Sequence, residues 1–123
     1  MDIKYLDTLE DFSKTLDNSL SLLSSRVITN PLDDLYGTTS PETIQQIHND
    51  MLALDALLEY TRDPSVEFAP DDVYIRLFER FYKHAHLNYT KRLIAGEPLT
   101  RAENEVTASQ YYIDLFKERK SQS

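Results

Sequence analysis

Three histidines, His48, His84 and His86, are the first residues to weigh, because an imidazole can hold a metal or move a proton near neutral pH. His84 and His86 stand two apart in a segment of helical patterning, so their rings diverge by about 200° and cannot share one ion. Arg80, Tyr82, Asn88, Tyr89 and Thr90 take positions three or four residues away where a second ligand would stand. His48 has Asp50 two residues on and Glu42 six before, which is the wrong spacing for one helical face. The chain has no cysteine, which excludes thiol nucleophiles, Cys-ligated zinc and iron–sulfur clusters.

Carboxylate pairs occur at Asp7/Asp11 and Asp55/Glu59, and adjacent pairs at Asp33-Asp34 and Asp71-Asp72. General acid catalysis needs such a group desolvated and aimed into a cleft, and nothing in the pattern arranges that. Asp71-Asp72 reads as helix-start charge. The serines of Leu20-Ser21-Leu22-Leu23-Ser24-Ser25 lack a Gly-x-Ser-x-Gly elbow, and 2 glycines in the whole chain make no phosphate-cradling loop. The expectation is no enzyme, no cofactor and no metal.

One constellation remains. Arg76, Arg80, Lys83 and Lys91 follow each other at gaps of 4, 3 and 8, close to one helical face, with Arg92, Tyr82 and Tyr89 nearby. Arginine with tyrosine is the mixture that protein hot spots and nucleic-acid surfaces both use. Glu79 and Lys83 are also spaced for a helix ion pair, so part of the stripe is expected to pair within the chain. The candidate partner-binding set is Arg76, Arg80, Lys83, Tyr82 and Tyr89, with Tyr36 from a preceding loop.

The bulk numbers fit that reading. The 123 residues hold 13 Lys+Arg against 21 Asp+Glu, net −8. Residues 1–63 carry 12 acidic and 4 basic side chains, whereas residues 64–123 carry 9 of each. An acidic chain is repelled by phosphate backbones and anionic lipid, which disfavours nucleic acid and membrane surfaces as partners. No stretch reaches the ~20 apolar residues a membrane span needs, and the start Met1-Asp2-Ile3-Lys4-Tyr5 mixes charge with apolar residues unlike a secretory signal. A cytoplasmic place, or one inside a viral or other macromolecular assembly, is expected.

The elements that position these residues are helices. Leu6, Leu9, Phe12, Leu16, Leu20, Leu23 and Val27 recur at gaps of 3 or 4, predicting a helix over 6–27. Pro31, Asp33, Asp34 and Gly37 then mark an irregular loop over 28–40. Ser40-Pro41-Glu42 starts a second helix, 41–62, in which Ile44, Ile47, Met51, Leu54 and Leu58 form a seam ended by Asp63-Pro64. Residues 71–95 predict a long third helix, with Ala69 or Asp71 near its cap and Gly96 closing it. Thr100-x-x-Glu103 reads as a capping box for a fourth helix over 101–119. The expected fold is all-α, a compact four-helix bundle in one domain spanning residues 1–123.

The 8 tyrosines cannot all face inward, because a buried phenol needs a hydrogen-bond partner, and of the adjacent Tyr111 and Tyr112 one belongs at the rim. The leading expectation is a non-enzymatic protein–protein interaction or assembly component, of the kind that viral accessory proteins provide, docking on other proteins or on copies of itself. No small-molecule substrate is implied. The alternative is an acidic inhibitor whose Asp7, Glu10, Asp11, Asp17, Asp50, Asp55 and Glu59 imitate nucleic-acid phosphates. A minor alternative is a nucleic-acid binder using the third helix.

Overall fold

The computed structural model describes residues 1–24, 36 and 40–122. Four helices are formed among them: α1 (Leu6–Ser24), α2 (Pro41–Glu59), α3 (Asp71–Ala95) and α4 (Thr100–Ser121). The fold is an all-α bundle, as the apolar spacing predicts. The expected end of the first helix at 25–27 and the irregular loop over 28–40 lie outside the described residues, Tyr36 and Ser40 excepted.

Side-chain contacts fix the directions of the helices. Asp11 meets Arg101, Ser13 meets Asp55, Asp50 meets Arg80, and Asp71 and Asp72 meet Arg119 and Lys120. Met1 also meets Tyr60, Ala53 meets Tyr74, Phe78 meets Tyr112 and Tyr5 meets Tyr111, so along each pair the contacts run in opposite order: each helix is antiparallel to the one beside it, giving an up-down-up-down bundle. The closest packing joins α3 to α4, and the next α1 to α2. At 25 residues, α3 is the longest element, about 37 Å.

Local chemistry sets the boundaries. Ser40 caps α2, its hydroxyl accepting from the Thr43 N–H at 3.1 Å, with Pro41 in the first turn. Gly96 takes a left-handed conformation, φ 71°, and the Glu97 N–H reaches back to the Arg92 carbonyl at 2.9 Å to close α3. Three expected boundaries are corrected. α2 ends at Glu59, because the Thr61 and Arg62 N–H groups bond three residues back, to the Leu58 and Glu59 carbonyls, in turn geometry before Pro64 is reached. Pro70, not Ala69 or Asp71, occupies the cap position of α3, and its carbonyl accepts from Val73. Thr100 is already inside α4: the Glu103 N–H bonds to the Leu99 carbonyl at 2.9 Å, which leaves no donor for a threonine capping box.

The core is aromatic. Phe12 stacks on Phe81 at 4.0 Å between ring centroids, Phe78 on Tyr112 at 4.9 Å and Tyr74 on Phe116 at 4.3 Å. These rings join α1, α3 and α4, while Ile47, Leu54 and Leu57 close the core from α2. Both buried phenols are satisfied. Tyr74 donates to the Ala53 carbonyl at 2.8 Å; Tyr112 donates to the Lys4 carbonyl and accepts from the Lys4 N–H at 3.0 Å. Burial raises both phenols, Tyr74 to about 12.

Tyr111 stands at the rim and donates to the Asp2 carbonyl at 2.6 Å, so the two neighbouring tyrosines of α4 strap residues 2–4 across the bundle. The strap turns into α1 at Tyr5, whose φ of 56° is left-handed, a conformation costing a non-glycine residue about 1–2 kcal/mol. Edge-on contact with Tyr111 at 5.7 Å and the Leu9 N–H on the Tyr5 carbonyl hold it there.

Candidate functional site

The six residues singled out from the sequence divide into three groups. Arg80 and Tyr36 turn toward α2, where the Arg80 Nη1 lies 3.0 Å from Asp50 Oδ2 and the Tyr36 hydroxyl donates to the same oxygen at 2.7 Å. The guanidinium also stands 4.9 Å from the Tyr36 ring centre. Only 6% of the Asp50 side chain and 21% of the Arg80 side chain are exposed. This triad is an internal contact that ties residue 36 and α2 to α3. Burial raises the Asp50 carboxyl above its ordinary value, although both partners favour the ionised form, and the Tyr36 phenol is raised by burial and by Asp50.

Arg76 and Lys83 are exposed on the outer face of α3, and Arg76 Nε donates to the Asp72 carbonyl one turn back at 3.3 Å. Tyr82 and Tyr89 point elsewhere, toward α4, and their half-buried rings edge an open groove of about 420 Å³ with His86, Glu103, Val106 and Thr107. The His86 ring lies 6.1 Å from that of Tyr82. A second hollow of about 440 Å³ shares Tyr82, Val106 and Thr107 and runs on to Tyr111 and Asp114. The α3–α4 seam thus carries one continuous tyrosine-edged groove. Seven residues separate Tyr82 from Tyr89, two helical turns, which is why they share a face.

Sequence reasoning missed the α4 half of this groove and the inward role of Asp50. It also missed a polar cluster where α1 meets α4: Arg101 lies 3.5 Å from both Asp11 and Glu105. Glu105 is half-buried, and its carboxyl is raised by desolvation although Arg101 and His84 oppose the shift. The i, i+4 spacing of Arg101 and Glu105 was the available signal.

The acidic set proposed for phosphate imitation does not form one ridge. Asp50 is buried against Arg80, and Asp11 pairs with Arg101. Glu10, Asp55 and Glu59 do gather in a hollow of about 300 Å³ between α1 and α2, beside Arg62. Among the described residues, the ion pairs Asp50–Arg80 and Asp11–Arg101 join the acidic first half to the charge-balanced second half, whereas Lys4–Asp2, Arg92–Glu97, Arg101–Glu105, Arg119–Asp71 and Lys120–Asp72 each lie within one half. Among the described residues no three His, Asp or Glu side chains are grouped to hold a metal ion, and no helix is long and apolar enough to cross a membrane.

No family model, curated protein or solved structure matches the chain.

Proposed function

We propose that the chain is a docking protein, a component of a larger protein assembly that works through its outer surface and not by catalysis. One observation carries this reading: aromatic rings that the bundle has no need to leave at its surface, Tyr82 and Tyr89, edge an open groove outside a filled core. Tyrosines that are partly solvated and partly packed give large contact area at low entropic cost, which is why protein interfaces favour them. Arg76 and Lys83 are exposed on a separate face of α3 and do not line the groove. In this reading Arg80 and Tyr36 support the surface from beneath, fixing α3 against α2 through Asp50.

The test is affinity capture of the intact chain from the cells that make it, followed by reconstitution with the captured protein in pure form. Binding that falls with Tyr89→Ala and with Thr107→Trp, which fills the groove from an exposed lining position, at unchanged melting temperature, supports docking through this surface. Failure to reconstitute any pure complex, or binding indifferent to both substitutions, overturns it.

A further inference from the structure

The groove has a chemical character that selects among partners. Among the described residues its lining holds tyrosine rings, two carboxylates, Glu103 and Asp114, and a histidine, but no lysine or arginine. The chain as a whole is acidic, net −8, while residues 64–123, which supply most of the groove, carry 9 charges of each sign, so the attraction for a cation is set by the lining carboxylates themselves. Aromatic faces beside carboxylates attract cations twice over, through the ring quadrupole and through charge. The molecule already uses this pairing at the far end of the same groove, where the Lys4 ammonium stands 5.4 Å from the centre of the Tyr111 ring. Arginine repeats it over Tyr36 and over Phe68, at 4.9 and 5.5 Å. The Tyr82–Tyr89 end has the same ring chemistry and the Glu103 carboxylate, with no lysine or arginine lining it among the described residues.

Resting on the docking reading above, we propose that the α3–α4 groove receives a lysine- or arginine-bearing segment of a partner protein, with a cationic side chain seated between Tyr82, Tyr89 and Glu103. The two joined hollows, about 420 and 440 Å³, accommodate several residues of extended peptide, not one ion alone. Val106 and Thr107, where the hollows join, receive the aliphatic stem of the cationic side chain, as long basic side chains favour. The same carboxylates repel phosphates, which sets a basic peptide apart from a nucleic acid as the occupant.

The probe is a nine-residue peptide alternating lysine with alanine, titrated into the full-length isotope-labelled chain while backbone amide resonances are followed. Shifts concentrated in residues 82–89 and 103–114 are expected, with none for the same peptide carrying glutamine in place of lysine. Glu103→Lys/Asp114→Lys should weaken binding about tenfold or more, Tyr89→Ala by a similar factor, and Tyr89→Phe by little, because the ring face and not the hydroxyl meets the cation. Glu103 and Asp114 are exposed, so the double variant keeps its fold, which a thermal melt verifies.

Equal binding of the glutamine peptide, shifts gathered on α1 and α2, saturable binding of an oligothymidylate at the same amides, self-association through the groove, or no shift at all each overturn the proposal. A reconstituted partner whose affinity ignores Glu103→Lys/Asp114→Lys also overturns it while leaving docking intact. Absence of any reconstituted partner strikes the docking reading instead.

Discussion

The Arg80 guanidinium lies 3.0 Å from the Asp50 carboxylate across the α2–α3 interface, with the Tyr36 hydroxyl on the same oxygen. A charge that far out of water is tolerable only while its partners are present. Arg80→Met should therefore destabilise the bundle by about 2–3 kcal/mol, below the usual range for a buried pair because a fifth of Arg80 remains exposed. Arg80→Glu should be worse, since it sets carboxylate against carboxylate. Adding Asp50→Asn to Arg80→Met should recover part of the loss. Urea unfolding of the three variants measures this; an Arg80→Met protein as stable as the wild type would show that the pair carries no weight.

The same carboxyl predicts a pH dependence. Asp50 is raised in the folded state above its ordinary value of 3.8, so its protonated form suits the fold better than its ionised form. Its contribution is fully present below 3.8 and is lost as pH rises through the raised value. Glu105 acts in the same sense. Asp72, held by Lys120, and Asp63, held by Ser65, are lowered and act oppositely: their contribution is present above 3.8 and is lost as pH falls. Asp50→Asn removes this titration, so its stability relative to the wild type should improve as pH rises from about 4 through the raised value. Denaturant midpoints for both proteins across that range test the sign, and a difference that does not change with pH would refute it.

The two periodicities of α2 explain what was and was not legible. The seam read from apolar residues, Ile44-Ile47-Met51-Leu54-Leu58, is offset from the buried one, Ile47-Asp50-Leu54-Leu57, and leaves Ile44 exposed and Met51 half-buried. Asp50 occupies a core register, but a carboxylate is counted as surface by any hydropathy pattern; only Arg80, thirty residues on, makes the site tenable. Local signals were clear where neighbours in sequence decide the structure, as at Ser40-Pro41 and Gly96. Tyr82 and Tyr89 were singled out as neighbours of the basic stripe, whereas the two helical turns between them place them on a face of their own, against α4. Glu103, Val106 and Thr107 were not, because their meeting with those rings depends on how α4 lies against α3, and periodicity within one helix is silent on its neighbour.

Tyr112 ties the chain's first residues to the core through both backbone groups of Lys4. Tyr112→Phe keeps the ring that stacks on Phe78 and removes only the hydroxyl. The Lys4 N–H and carbonyl then lose a partner in a partly buried setting, at a cost of about 1–2 kcal/mol. Hydrogen exchange separates this from general weakening: the Lys4 amide should exchange faster by more than amides in the middle of α3. Uniform acceleration across the bundle, or none at Lys4, would mean that the strap is held by other contacts.

Gly96 offers the converse case, a residue whose importance lies in its backbone alone. Its φ of 71° is unfavourable for a residue with a Cβ, yet an added Cβ would meet nothing within 4 Å. Gly96→Ala therefore isolates the conformational penalty, about 1 kcal/mol, with no steric clash added. The turn it forms reverses the chain between α3 and α4, the two helices that pack most closely and that wall the groove. The variant should lower the melting temperature by a few degrees while leaving the spectrum of the Tyr82–Tyr89 region unchanged at 25 °C. A larger loss accompanied by altered resonances at Tyr82 and Val106 would mean that the cap also sets the register of α4 along α3, and that groove geometry is as sensitive to the αL turn as to the residues lining it.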